Sequence, residues 1–172
     1  CRIWLETVTD DVAYAKPAEK VLTVSVPAGE SLVYNGKTQT GVVADTGCTL
    51  SGTTSGVDTG TYTALAVLDE GYFWQDGTTE AKTITWEIVK AVNKITGLTS
   101  VVTKTGSVSK NTAFTSAAKA ESGTLKYSDN SKYASVDSAG KVTINKNYTV
   151  TFKVTASSPE TANYKAATKS YT

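Results

Sequence analysis

The sequence has no histidine, no methionine, two cysteines and three prolines among its 172 residues. Without histidine, the Ser-His-Asp and Cys-His catalytic arrangements and a His-ligated zinc site are all excluded. The two cysteines, Cys1 and Cys48, have neither the number nor the spacing of a metal site. We therefore expect no enzymatic activity, no metal and no cofactor.

Two other absences concern the context of the chain. Because methionine is missing, we expect a processed protein or a fragment of a longer one. No apolar run approaches the roughly 18–20 residues of a membrane span, and no signal peptide is present. Any anchor or export signal is therefore expected outside this sequence.

Acidic residues are the remaining candidates for chemistry. Asp10-Asp11 and Asp69-Glu70 are adjacent pairs, but neighbours on a strand point to opposite faces. Asp129-Asn130-Ser131 lacks the spaced acids and the final glutamate of a calcium-binding loop, so we interpret it as a turn. No glycine-rich phosphate loop precedes a helix.

The residues that are abundant favour β-structure. Thr, Val, Tyr and Ser suit pleated strands, whereas helix-forming Leu, Arg, Glu and Gln are scarce. Strand-like runs alternate with a period of two, as in Ala81 to Val89, where Ile84, Trp86 and Ile88 share one face. Turns recur every 8–12 residues, and Asn35-Gly36 and Asp76-Gly77 are typical of hairpins. The pattern predicts an all-β chain.

The distribution of charge divides the chain. Residues 20–91 have four lysines against eight acids, and residues 92–172 have eleven lysines against four acids. We therefore predict a lead-in segment (1–19) and two tandem β-sandwich domains, at 20–91 and 92–172. The boundary near Lys90 to Asn93 contains no Pro, Gly or Ser run, which predicts a semi-rigid joint with the units end to end.

Aromatic residues offer one candidate contact for a ligand. Trp74, Trp86 and Tyr62 lie on inward faces and are expected in the core. Phe73 lies between Tyr72 and Trp74, so it faces the other way and is a candidate to stack on a sugar or anchor a neighbour. The lysines of residues 92–172 are spread over nearly every strand, which favours a solvated face with at most weak attraction to anionic wall polymers, and no nucleic-acid groove.

Two stretches resemble known families of bacterial immunoglobulin-like domains. The first resembles an MBG-type repeat over about residues 21–91, and its landmarks are Tyr34-Asn35-Gly36-Lys37, Thr49 to Thr53, Gly60 to Ala64, Gly71 to Trp74 and Lys82 to Ile88. The second resembles a Big-type domain over about residues 93–172, through Tyr127 to Ser131, Ala134 to Ile144 and Glu160 to Lys165. The resemblance implies immunoglobulin-like sandwiches, a secreted or cell-surface location in bacteria, and no catalysis.

Cys48 departs from the MBG-type pattern, in which the residue before Thr49-Leu50 is usually aromatic. A disulfide between Cys1 and Cys48 would compensate and would close a loop of 46 residues, contributing roughly 4 kcal/mol in the chain-entropy model. Alternatives remain for Cys1: a lipid-modified end, or an accident of where the fragment begins. A separate possibility for a covalent cross-link is an intramolecular Lys–Asn isopeptide bond. We consider it the weaker of the two cross-links, because most asparagines lie in predicted turns.

Three functional hypotheses follow. The first is a stalk or adhesion segment whose partners are the neighbouring repeats of the same polypeptide. The second is a module that binds a host or cell-wall glycan or protein, through loops or Phe73. The third is an accessory domain pair of a large extracellular enzyme.

Overall fold

The computed structural model describes residues 21–97, 113–144 and 151–172. These residues form strands, turns and irregular segments without a helix, so the chain is all-β, as the composition predicts. In the same ranges no helix is long and apolar enough to span a membrane. The predicted lead-in segment, residues 1–19, lies outside the described residues.

Among the described residues, each strand ladder joins two strands that both precede Lys90 or two strands that both follow it. We call residues 21–90 the N-terminal half and residues 91–172 the C-terminal half. The strands described in the N-terminal half are β1 Leu22–Val24, β2 Ser31–Val33, β3 Gln39–Thr40, β4 Cys48–Gly52, β5 Ser55–Gly56, β6 Gly60–Leu68, β7 Tyr72–Trp74 and β8 Lys82–Val89.

A four-stranded sheet in the order β2-β8-β6-β4 organises the N-terminal half. Its long central pair, β6 and β8, is antiparallel, with Gly60 opposite Ile88 and Ala66 opposite Lys82. Strand β2 runs parallel to β8. Two smaller ladders complete this half, the parallel pair β1–β7 and the antiparallel pair β3–β5.

The core of the N-terminal half lies under the inner face of this sheet. Ile84, Trp86 and Ile88 are all buried, which confirms the period of two in β8. They form one cluster with Trp74 of β7 and further buried residues Val24, Val42, Cys48, Ala64 and Ala66. The Trp86 indole N–H donates to the Thr53 carbonyl at 2.7 Å, which satisfies its one polar atom.

The two predicted hairpin turns do not join paired strands. At Asn35-Gly36, Gly36 has φ +74° and the Asn35 side chain accepts from the Lys37 amide, but β2 pairs with β8, so the hairpin prediction is wrong. At Asp76-Gly77, β7 pairs with β1. There the Asp76 carboxylate accepts from Thr78 and Lys82, and these hydrogen bonds hold the pKa of Asp76 well below its usual range.

The C-terminal half has shorter strands. Those described are β9 Ile95–Thr96, β10 Ala113–Thr115, β11 Lys119–Ala120, β12 Lys126–Asp129, β13 Ala134–Val136, β14 Lys141–Ile144, β15 Val154–Ser158 and β16 Ala167–Tyr171. They form two antiparallel sheets, β10-β14-β13 and β12-β15-β16, and the antiparallel pair β9–β11.

The C-terminal half has a core of its own. Val142 and Val154 are its largest fully buried side chains, one from each three-stranded sheet. Ala134, Ile144 and Tyr171 complete the buried cluster. The two clusters share no residue, so the sheets on either side of Lys90 bury their apolar faces separately.

Candidate functional site at the joint between the two halves

The two halves meet at one end of each main sheet. Because β6 and β8 are antiparallel, the first residue of β6 and the last residues of β8 lie at the same end, together with the last residue of the parallel strand β2. The C-terminal half contributes residues 159–166, which connect the adjacent strands β15 and β16. The contact is therefore end-on.

The connecting segment is short and hydrogen-bonded. Strand β8 ends at Val89, and after Lys90 the first residue of the C-terminal half, Ala91, already pairs with Tyr164. The Ala91 amide donates to the Asn163 carbonyl at 3.0 Å, and the Lys165 amide donates to the Ala91 carbonyl at 2.9 Å. One residue thus separates the last strand of one half from the first pairing of the next.

Asn163 forms the central polar contact of the joint. Its side-chain oxygen accepts from the Thr59 amide at 3.0 Å and from the Thr59 hydroxyl at 3.1 Å, and its side-chain nitrogen donates to the Asp58 carboxylate at 3.0 Å. The Thr59 hydroxyl also lies 2.8 Å from the Ala162 carbonyl. Each such bond contributes about 0.5–1.5 kcal/mol net, so the set is strong enough to hold an orientation.

The core of the N-terminal half positions the Asp58-Thr59 turn. Tyr62 stacks on buried Trp86 with ring centroids 4.4 Å apart, and its hydroxyl donates to the Asp58 carbonyl at 2.6 Å. Asp58 and Thr59, which form hydrogen bonds with Asn163, are therefore connected to the centre of the sheet through the side chains of Tyr62 and Trp86.

Two further contacts flank Asn163. Lys90 donates to the Glu160 carboxylate and, at 2.9 Å, to the Thr161 carbonyl. This ion pair is partly exposed and is worth about 0–1 kcal/mol. On the other side the rings of Tyr34 and Tyr164 meet edge to face at 5.5 Å. Desolvation raises the pKa of Tyr164, and the neighbouring Glu121 and Tyr34 raise it further.

Asn93 fixes the connecting segment to the C-terminal half. It is 4 % exposed, and its side chain donates to the Ser122 carbonyl at 2.7 Å and to the Ser158 hydroxyl at 3.2 Å, while accepting from the Ser122 amide at 3.1 Å. Its amide group is thus committed to hydrogen bonds with serine and backbone atoms. These hydrogen bonds of Asn93 do not involve a lysine, so they give no support to the isopeptide alternative.

The described residues offer little for small-molecule chemistry. They contain no group of three or more Cys, Asp or Glu side chains arranged to hold a metal ion. A shallow cavity of about 190 Å³ lies beside Trp86, lined also by Glu30, Ser31 and Glu87. This volume is below the roughly 300–1,000 Å³ of typical ligand pockets.

Phe73, the predicted ligand contact, lies in β7 and is 38 % exposed, whereas its neighbour Trp74 is completely buried. The opposite facing of the two side chains therefore agrees with the alternation in the sequence. Phe73 is not among the residues whose contacts across the joint are described above. Its role in binding a ligand stays a prediction.

Cys48 is buried at the start of β4, 5 % exposed, and its sulfur lies 3.5 Å from the Asp45 carbonyl. Its predicted partner, Cys1, lies outside the described residues. The disulfide between them therefore stays a prediction.

Comparisons with known proteins give no family for this chain. No protein-family model matches it, and no curated protein matches it. The similarity to MBG-type and Big-type domains consequently depends on the sequence landmarks alone.

Sequence reasoning missed the residues that make the joint. It placed the boundary at residues 90–93 but assigned no role to Thr59, Asn93 or Asn163. The only available signal was the lack of a flexible linker, which predicts that the halves touch without indicating where.

Proposed function

We propose that this chain is a non-catalytic stalk or adhesion segment of a larger secreted bacterial cell-surface protein, built from two immunoglobulin-like sandwich domains in tandem. The observation that carries the proposal is the end-on joint, in which Asn163 binds the Asp58-Thr59 turn and only Lys90 separates β8 from the first pairing of the C-terminal half, between Ala91 and Tyr164. A stalk needs such a joint because a fixed angle between successive domains keeps the distance from one end to the other.

The chemistry of the sequence supports the same proposal. A chain without histidine lacks the most common general base. The bacterial surface location comes from the resemblance to MBG-type and Big-type domains. Neighbouring repeats of the same polypeptide are the expected partners, since end-on contact can recur from one domain to the next.

The fixed angle can be tested by measuring distances between spin labels by pulsed electron resonance. Exposed Val43 and Lys141 provide one label site in each half after substitution by cysteine in a Cys1→Ser background. We expect one narrow distance distribution. Asn163→Ala should broaden it, because the contacts to Thr59 and Asp58 are lost.

Two controls define the scale of this experiment. Thr49→Ala removes an exposed hydrogen bond to Asp69 at the opposite end of β6 from the joint and should leave the distribution narrow. Insertion of two glycines between Lys90 and Ala91 gives the distribution of a free joint. A parent distribution as broad as that of the glycine insertion, or small-angle scattering typical of a compact globule, would contradict the stalk proposal.

A glycan-binding module is the second candidate, and the exposure of Phe73 favours it. A planar aromatic side chain at the surface can stack on a sugar ring. A glycan array probed with the parent protein and with Phe73→Ala separates this function from a stalk, because only a Phe73-dependent signal supports it. The third hypothesis, an accessory domain pair of an extracellular enzyme, requires a catalytic domain in the same gene.

A further inference from the structure

We propose that the parallel β2–β8 ladder is a force-bearing clamp, which resists extension of the N-terminal half when the chain is pulled from its two ends. This inference rests on the proposed function, because tension along the chain arises when a stalk holds a load.

The direction of the two strands sets how force acts on their hydrogen bonds. The polypeptide enters the ladder at Ser31, beside Glu87, and leaves it at Val89, beside Val33. Because the strands are parallel, the entry point and the exit point lie at opposite ends of the ladder. Pulling them apart slides one strand along the other, so that all the bonds are strained together.

The hydrogen bonds of the ladder define the size of the clamp. The Glu87 amide donates to the Glu30 carbonyl at 3.0 Å, and the Tyr34 amide donates to the Val89 carbonyl at 2.9 Å. Between these two bonds the parallel register places Leu32, whose N–H and C=O complete a row of about four bonds to β8.

Side chains reinforce the entry of the clamp. The Ser31 hydroxyl donates to the Glu87 carboxylate at 2.8 Å, across the same ladder. The chain approaches β8 closely just before this point, since a Cβ on Gly29 would lie 2.0 Å from the Thr85 carbonyl oxygen. At the exit end, the ring of Tyr34 contacts Tyr164 of the C-terminal half.

The C-terminal half begins with the same geometry. Ala91 pairs in parallel with Tyr164, in the segment that leads into β16, the last strand of the chain. Strand β1 likewise pairs in parallel with β7. Tension along the chain would therefore slide β1 and Ala91, the first paired segments of the two halves, along their parallel partners.

Single-molecule force spectroscopy with two pulling directions tests the clamp. In one arm, handles are attached ahead of residue 1 and after Thr172. In the other, the first handle is moved to Lys37→Cys, an exposed site just after β2. Both arms use a Cys1→Ser background, in which the remaining Cys48 is buried.

The second arm pulls the same ladder from one end, because Val33 and Val89 are neighbours. The bonds then break one at a time. Because the row of about four bonds is strained together in the first arm and bond by bond in the second, we expect the N-terminal half to unfold at a clearly higher force in the first arm. The C-terminal half is loaded identically in both arms, so its unfolding force should not change.

Equal unfolding forces for the N-terminal half in the two arms would overturn the clamp. A second handle at exposed Thr38→Cys repeats the one-ended arm, and denaturant titration checks that either substitution leaves stability unchanged. The result is independent of the spin-label experiment. Equal unfolding forces together with a narrow spin-label distance distribution would reject the clamp and leave the stalk proposal in place. A broad distance distribution together with a higher unfolding force in the first arm would reject the stalk proposal and leave the clamp in place.

Discussion

Glycines in the N-terminal half make room for aromatic rings. A Cβ on Gly41 would lie 1.9 Å from the Trp86 ring, and one on Gly56 would lie 2.7 Å from the Tyr62 ring. These two rings stack on each other and position the Asp58-Thr59 turn. The small residues are therefore part of what places the joint.

We expect Gly41→Ala to destabilise the protein. The added methyl group overlaps the Trp86 ring, which is 1 % exposed and cannot move without disturbing the core. Overpacking of this kind costs about 1–3 kcal/mol or more. The change in the free energy of unfolding can be measured by denaturant titration with tryptophan fluorescence.

Gly60→Ala is the matched control. A Cβ on Gly60 meets nothing within 4 Å, and the residue does not have a positive φ. Alanine costs less backbone entropy than glycine in a strand, so this change should be neutral or stabilising by about 0.5–1 kcal/mol. Equal losses from the two substitutions would show that the space around Gly41 is not what the glycine provides.

At the scale of elements, alternation along strands separates buried from exposed aromatic residues. Trp86 is 1 % exposed in β8, whereas Phe73 is 38 % exposed in β7. Trp86→Ala should lower stability by about 3–5 kcal/mol, because it leaves a large cavity and removes the partner of Tyr62.

Phe73→Ala should lower stability much less, since part of its side chain is already in water. Thermal unfolding of the two variants under identical conditions makes the comparison. A loss for Phe73→Ala as large as that for Trp86→Ala would contradict the assignment of faces.

The sequence predicts which faces are buried better than which strands pair. Strand β8, Lys82–Val89, nearly coincides with the predicted run from Ala81 to Val89, because its alternation follows a strict period of two. Asn35-Gly36 predicts a hairpin, yet β2 pairs with β8, more than fifty residues later. Turn chemistry acts over four residues and carries no information about a partner so distant.

The sequence predicts where along the chain the two halves are joined, but it does not predict which residues form the contacts between them. The absence of a linker at residues 90–93 indicates that the halves touch. The bond between Thr59 and Asn163 spans a sequence separation of 104. Thr59 stands in no distinctive pattern, and the landmark Glu160 to Lys165, which contains Asn163, indicates a family and not a contact. Contacts of this kind depend on how two folded surfaces meet, which periodicity and composition do not record.

At the scale of the whole molecule, the two halves have separate cores and a polar joint. The clusters around Trp86 and around Val142 have no member in common. The described contacts across the joint are hydrogen bonds, one ion pair and one edge-to-face ring pair. Polar inter-domain contacts of this type resemble transient interfaces and add little to the stability of either fold.

Separate cores predict that the halves unfold in separate transitions. The sequence provides a selective probe, because all three tryptophans, Trp4, Trp74 and Trp86, precede residue 92. In a Trp4→Phe background the remaining Trp74 and Trp86 are both buried in the N-terminal half, so tryptophan fluorescence reports that half. Far-ultraviolet circular dichroism reports strands of both halves. We expect the two signals to follow different curves in urea, since coincident curves are the mark of two-state unfolding.

The slope of each curve adds a second criterion, because the denaturant dependence scales with the surface exposed on unfolding. The fluorescence transition should have the slope of a domain of about half this chain. Asn163→Ala should change its slope little, since the joint contributes few apolar contacts. Coincident fluorescence and dichroism curves with the slope of the full chain would mean that the halves form one cooperative unit, and the division at residue 91 would then be wrong.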